Sequence, residues 1–189
     1  LIDEYRSDED KQIDYFDHNR YVQEETFKAV EKRLLELTEL HSTPYFGKIT
    51  FKEEGLDEED IYIGKFGLVD EKAYEPLVID WRAPIASLFY KGTVGKDSYK
   101  APMGEMPVDI LLRRQFLIRE GLLKGVFDTQ SNVQDEILLE VLSSNAGKKL
   151  KDIIMTIQEE QDQIIREKRE GVLVVNGVAG SGKTTIALH

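Results

Sequence analysis

Residues 177–184 read Gly-Val-Ala-Gly-Ser-Gly-Lys-Thr, which fits the spacing G-x-x-x-x-G-K-[ST]. No other run in the chain constrains its surroundings so tightly. Glycines at 177, 180 and 182 allow backbone conformations closed to other residues and let the chain approach an anion closely. Successive N–H groups can then converge on a phosphate, helped by the positive end of a following helix. Lys183 supplies a point charge for the β- and γ-phosphates, and the Thr184 hydroxyl is the expected magnesium ligand. Ser181 and Thr185 complete the candidate nucleotide-binding set of Gly177, Gly180, Ser181, Gly182, Lys183, Thr184 and Thr185. The context agrees: Val172, Leu173, Val174 and Val175 suit a buried parallel strand, and Thr185, Ile186, Ala187 and Leu188 can continue a helix. The competing reading is a glycine-rich turn with a chance lysine, which leaves that strand and helix context unexplained.

Composition narrows the class. A net charge of −11 argues against a chain that coats nucleic acid, which would carry a basic excess, but leaves room for a local basic groove. The absence of cysteine removes disulfides and thiolate metal sites, and His18, His41 and His189 show no metal-ligand spacing. No signal peptide or apolar run of spanning length is present, so a soluble cytoplasmic protein with no membrane partner is expected.

Residues 1–42 hold neither glycine nor proline. Ile13, Phe16, Arg20, Gln23, Phe27, Val30, Leu34, Leu37 and His41 recur at alternating spacings of three and four, a heptad stripe that is polar at Arg20, Gln23 and His41. The segment carries 12 Asp or Glu against 6 Lys or Arg. With flanks that polar, the narrow stripe predicts one long helix forming half of a coiled-coil arm, although a helix lying on its own domain fits the same pattern. Exposure of the 13–41 stripe would make the chain prone to self-association. Thr43-Pro44 ends the helix.

From 45 to 129 the pattern turns to strands rich in β-branched and aromatic residues, at 45–51, 61–69, 77–81, 86–90, 108–118 and 122–127. Glu53-Glu54-Gly55, Lys91-Gly92 and Glu120-Gly121 carry turn chemistry, and Pro102, Gly104 and Pro107 predict an irregular crossing. An antiparallel meander or small barrel is expected. Helical patterns return after Thr129. One is capped by Ser131 with Gln134, a second covers 150–154, and a third opens on Thr156 with Glu159 and runs to about Lys168. The class is α+β. Its parts are a long helix at 1–43, a β-rich domain at 44–130, and a helical segment at 131–189 entering the start of a P-loop motor domain.

Gln161 lies 16 residues before Gly177, on the helix leading to the loop. This arrangement resembles superfamily 1 helicases, in which such a glutamine reads the adenine edge; an amide presents the donor–acceptor pair that adenine complements. Spacing alone leaves open a solvated glutamine in a polar stretch. Six strings in order are more specific: Thr-Pro-Tyr-Phe-Gly-Lys-Ile at 43–49, Ile-Tyr-Ile-Gly at 61–64, Asp-Trp-Arg-Ala-Pro at 80–84, Leu-Leu-Arg-Arg-Gln-Phe at 111–116, Thr-Ile-Gln-Glu-Glu-Gln at 156–161 and the glycine-rich run. Together they resemble the N-terminal part of the HelD family, the DNA helicase IV-like proteins.

The resemblance implies a superfamily 1 ATP-hydrolysing motor using ATP and Mg2+. Its N-terminal coiled-coil arm enters the secondary channel of RNA polymerase, and nucleotide turnover releases nucleic acid. It makes RNA polymerase the expected partner, with DNA or RNA bound by further domains. It also implies an arm tip near Asp3, Glu4, Asp8, Glu9 and Asp10, whose carboxylates can approach a catalytic magnesium; composition equally fits a solvated acidic helix end. Asp80 and Arg82 are expected to form a bidentate pair, with Trp81 as a core anchor. DNA unwinding by the same motor and a non-catalytic polymerase-interaction module are the alternative functions. The acidic strand motif, arginine fingers and second motor half of such an enzyme are expected beyond His189. This chain alone is therefore expected to bind nucleotide weakly and not to hydrolyse it.

Overall fold

The computed structural model describes residues 18–91, 94–128, 157–167 and 171–187. The chain divides into two compact units, Leu1–Thr38 and Glu39–His189. The predicted helices within 129–156, and Ile13, Phe16 and the acidic residues at 3–10, lie outside the described residues.

Helix α1 covers His18–Ser42. Its backbone is satisfied internally, and exposed ion pairs line it: Arg20–Glu24 at 3.0 Å, Lys28–Glu25 at 2.7 Å and Arg33–Glu36 at 3.1 Å. Each is screened by solvent and adds little to stability. The stripe side chains Phe27, Val30, Leu34 and Leu37 are all exposed. At the C-terminal end, in the second unit, the Thr43 N–H closes the last turn on Glu39 O at 2.8 Å. Leu40 is buried there, and the Gly121 N–H bonds Ser42 O at 2.8 Å.

The second unit is built on a seven-stranded sheet: β1 Gly47–Glu53, β2 Glu58–Gly64, β3 Leu68–Val69, β4 Pro76–Asp80, β5 Gly95–Ala101, β6 Gly104–Arg119 and β7 Leu122–Asp128. The order is β3-β4-β2-β1-β6-β5, with β7 also on β6. This corrects the expected antiparallel meander or barrel, because β4 runs parallel to β2, pairing Ile63 with Ile79 and Gly64 with Asp80. The Trp81 N–H extends that pairing to Gly64 O at 2.9 Å. The expected strand at 61–69 is interrupted between Gly64 and Leu68.

Two local expectations fail for physical reasons. Residues 86–90 have strand-like composition but form a 3-10 turn, Pro84–Ala86, and a short helix α2, Ser87–Tyr90. Ser87, Leu88, Phe89 and Tyr90 are all buried, packed into the core by that helical turn. Pro84 suits the first turn, where its missing N–H has no partner to lose. The expected irregular crossing at 102–107 is instead a β5–β6 hairpin pairing Ala101 with Gly104. Pro107 interrupts nothing on the β1 side, since β1 pairing begins at Val108. The Glu120-Gly121 turn is seen as expected, with φ of 53° and 73°.

The core gathers Ile49, Phe51, Ile63, Ile110, Leu88 and Trp81, with Ile157 reaching it from beyond the sheet. Trp81 is 0% exposed, which makes it the anchor the sequence suggests. Edge-on rings connect Phe46 to Phe89 (5.7 Å), Phe89 to Tyr90 (5.3 Å) and Tyr90 to Trp81 (6.4 Å). Such pairs add about 0.5–1.5 kcal/mol each beyond burial.

Two glycines of the sequence strings are explained by close approach. A Cβ on Gly47 would lie 2.6 Å from the Phe89 ring, and one on Gly64 would lie 2.6 Å from Pro44 O and 2.7 Å from Val78 Cγ1. Gly64→Ala should therefore cost about 1–3 kcal/mol through overpacking. Gly67→Ala, whose Cβ would meet its nearest neighbour at 3.6 Å, should be near neutral. Urea unfolding of both variants checks the contrast; equal stabilities would refute it.

Candidate nucleotide site

Residues 172–178 lead into the loop without pairing as a strand. Val172 is 93% and Val174 83% exposed, so the expected buried parallel strand is not formed among the described residues. The reason is physical: a strand is defined by its neighbours, and none of the described strands lies alongside. The loop itself is followed by a short helix, α4, Lys183–Ala187.

Gly180 and Gly182 have φ of +84° and +79°, the left-handed geometry that requires glycine. Gly177 does not share it; its role is space, because a Cβ there would lie 2.8 Å from Ser181 Oγ. The loop closes on its own lysine. Lys183 Nζ donates to Gly177 O at 2.9 Å and Val178 O at 2.7 Å, with Ser181 Oγ at 3.5 Å. The ammonium is thus held across the mouth of the glycine turn by neutral acceptors. A phosphate is a stronger acceptor for the same group. Thr184 is exposed, as a hydroxyl that is to reach a nucleotide-bound cation must be.

Gln161 comes to the loop from helix α3, Glu159–Arg166. Its Oε1 accepts the Gln158 N–H at 3.1 Å, which caps the helix, and its Nε2 donates to Ser181 O at 3.2 Å. The cap falls on Gln158, not on Thr156 as expected, and Thr156 lies outside the described residues. A Cβ on Gly182 would lie 3.0 Å from Gln161 Nε2, so the third glycine also makes room for this amide. The structure therefore brings together Gln161, Gly177, Gly180, Ser181, Gly182 and Lys183. The Thr185 side chain lies outside the description.

Helix α3 is itself anchored by a residue that motif reading missed. Arg166 Nη2 donates to Trp81 O at 2.6 Å, and Nη1 to Ala83 O at 2.8 Å and Arg82 O at 3.1 Å. Its Nε meets both carboxylate oxygens of Asp162 at 2.7 and 2.8 Å. The only sequence signal was an Asp–Arg pair at i,i+4. The Asp-Trp-Arg-Ala-Pro string thus offers backbone carbonyls. The expected bidentate Asp80–Arg82 pair is instead a single 3.6 Å contact, and Asp80 Oδ1 accepts the Arg82 N–H at 2.8 Å to brace the turn. The Arg82 guanidinium lies 4.8 Å from the Trp81 ring centre.

Burial, opposed by the Arg166 charge, raises the Asp162 carboxyl above its ordinary value. Burial, reinforced by Asp162, pushes the Tyr90 phenol well above its own. Among the described residues no cluster of His, Asp or Glu is placed to hold a metal ion. No described helix is long and apolar enough to cross a membrane.

A helix followed by a mixed sheet, with a lysine-bearing glycine loop in contact with a glutamine helix, makes the class α+β. The family model of the DNA helicase IV HelD N-terminal domain matches residues 2–140, and the chain belongs to that family. The match takes in α1 and the whole sheet and ends before α3 and the glycine loop. No curated protein matches the chain.

The raised Asp162 carboxyl has a stability consequence of definite sign. The folded state binds this proton more tightly than the unfolded chain. Asp162 therefore favours folding most below its ordinary 3.8, and that contribution falls as pH rises through the elevated value. Wild type should lose stability relative to Asp162→Asn across that interval and run parallel above it. Urea midpoints measured at a series of pH values check this; a difference growing in the opposite direction would refute it.

Proposed function

We propose that this chain is the N-terminal part of an ATP-dependent, superfamily 1 helicase-like motor that binds RNA polymerase and releases it from nucleic acid. Family membership supports the helicase parent. The observation that carries the nucleotide assignment is Gln161 seated 3.2 Å from the loop carbonyl of Ser181, beside the lysine-bearing turn. An amide has two donors and an acceptor oxygen with two lone pairs. One donor and one lone pair hold it in place here. One of each remains for an adenine edge, which calls for that pair. The N–H groups of the glycine loop and Lys183 would hold the phosphates, and Thr184 the Mg2+ that ATP brings. Bound ATP supplies the free energy of phosphoryl transfer, and this chain's residues position and neutralise its phosphates.

In the full-length protein, Lys183→Ala should lower ATP turnover by at least about a hundredfold, since charge stabilisation dominates phosphoryl transfer. Binding to RNA polymerase should persist. Steady-state ATPase rates and polymerase pull-down measure the two. Normal turnover by the variant would refute the lysine's role. Strand displacement without polymerase would favour a DNA-unwinding helicase, the alternative reading.

The exposed Phe27, Val30, Leu34 and Leu37 favour a second statement, that α1 pairs with another apolar helix, and in the isolated chain with a second copy of itself. Light scattering of the 189-residue chain should give a concentration-dependent mass that Leu34→Glu abolishes. A monomer at millimolar concentration would refute it.

A further inference from the structure

We propose that Arg166 is a positioning residue for the nucleotide site, and that the backbone turn Trp81-Arg82-Ala83 is its socket. The proposal rests on the nucleotide reading above and deepens it.

Helix α3 has eight residues, too few to be stable alone in water. Its place must come from tertiary anchors. Ile157, just before it, is buried in the core, and Ile165 packs against the same cluster. Neither contact is directional: apolar packing resists separation but tolerates small rotation and sliding. Arg166 supplies the direction. Its planar fork makes three hydrogen bonds to successive carbonyls at 2.6, 2.8 and 3.1 Å while Nε is fixed on Asp162. Four acceptor groups around one rigid plane define its position and tilt. Tyr90 lies against it, 5.9 Å from guanidinium carbon to ring centre.

Gln161 sits five residues earlier on the same helix, about 7.5 Å along its axis. Its amide reaches Ser181 O at 3.2 Å, near the outer edge of a good hydrogen bond. A shift of the helix by a fraction of an ångström carries that amide off the loop. The socket at 81–83 and the loop at 177–184 are thereby joined through one rigid turn-and-a-half of helix. The sheet domain sets where the adenine-reading amide stands. A lysine at 166 could not do this, because an ammonium is a point donor without the fork that spans three carbonyls.

The test uses the full-length protein, with ATPase kinetics on ATP and GTP for Arg166→Ala, Arg166→Lys, Gln161→Ala and the Arg166→Ala/Gln161→Ala double variant. Arg166→Ala and Arg166→Lys are expected to raise KM for ATP about tenfold with kcat within about twofold, the signature of lost binding without lost chemistry. Preference for ATP over GTP should disappear in both, as in Gln161→Ala. The double variant should be no worse than Gln161→Ala alone, because both substitutions remove the same contact. Retained ATP preference in the Arg166 variants, a fall in kcat shared equally by both nucleotides, or additive losses in the double variant would each overturn the proposal. If Arg166→Ala does not fold, as judged by circular dichroism, Arg166→Lys carries the same comparison. Failure of the underlying reading looks different: the parent would then hydrolyse no nucleotide, or Lys183→Ala would leave turnover intact.

Discussion

One guanidinium ties the turn after β4 to helix α3, because Arg166 donates to the carbonyls of Trp81, Arg82 and Ala83. After β4 the chain turns sharply through Trp81, Arg82, Ala83 and Pro84 so that the indole can enter the core. The Trp81 N–H still pairs with Gly64 O, and of the carbonyls of 81, 82 and 83 that of Ala83 also accepts the Ala86 N–H at 3.0 Å. Leaving one such group buried and unpaired costs about 1–3 kcal/mol. Arg166 supplies donors to all three. A positive charge set in this half-buried place then draws a carboxylate, and Asp162, one turn back on the same helix, stands 3% exposed. Its raised pKa is the electrostatic trace of that arrangement: burial outweighs the attraction of its partner. The turn that buries Trp81, the arginine on its carbonyls and the buried acid are thus one connected set of contacts.

Much of the sheet can be read from the residues because its strands obey local rules. β1, β2, β6 and β7 alternate or run apolar, and the Glu120-Gly121 turn has the residues its backbone requires. β5, Gly-Lys-Asp-Ser-Tyr-Lys-Ala, has no apolar signature; it is an edge strand that exists because β6 is long enough to pair with it. The segment 87–90 misleads in the other direction. Its aromatic content signals a strand, but the chain beside Pro84 forms a helical turn that buries four consecutive side chains. Local propensity lost to packing there, as a weak prior does.

The candidate site divides along the same line. The glycines, Lys183 and Thr184 are legible because their chemistry lies in eight consecutive residues. The contact from Gln161 to Ser181 spans 20 positions and is suggested by spacing only through a resemblance. Arg166 to Trp81 spans 85, and no motif encodes it, because its partners are backbone carbonyls that any residue could offer. A side chain that recognises the main chain leaves no covarying chemistry in the sequence of its target.

Two apolar segments show why pattern alone stops short of structure. The α1 stripe and the run 172–175 both announce residues that seek burial, yet Phe27, Val30, Leu34, Leu37, Val172, Leu173 and Val174 are all exposed. They nevertheless differ in backbone. A helix satisfies its N–H and C=O groups within itself, so α1 persists as a helix whatever meets its stripe. A strand takes its hydrogen bonds from neighbours, so Val172 to Val175 form no strand without them. The loop that follows is shaped anyway, because its geometry comes from inside: two left-handed glycines, a lysine on its own carbonyls and a glutamine from α3. The glycine turn is thus closed on its own lysine without a neighbouring strand among the described residues, and the helix that Arg166 holds adds one contact to it.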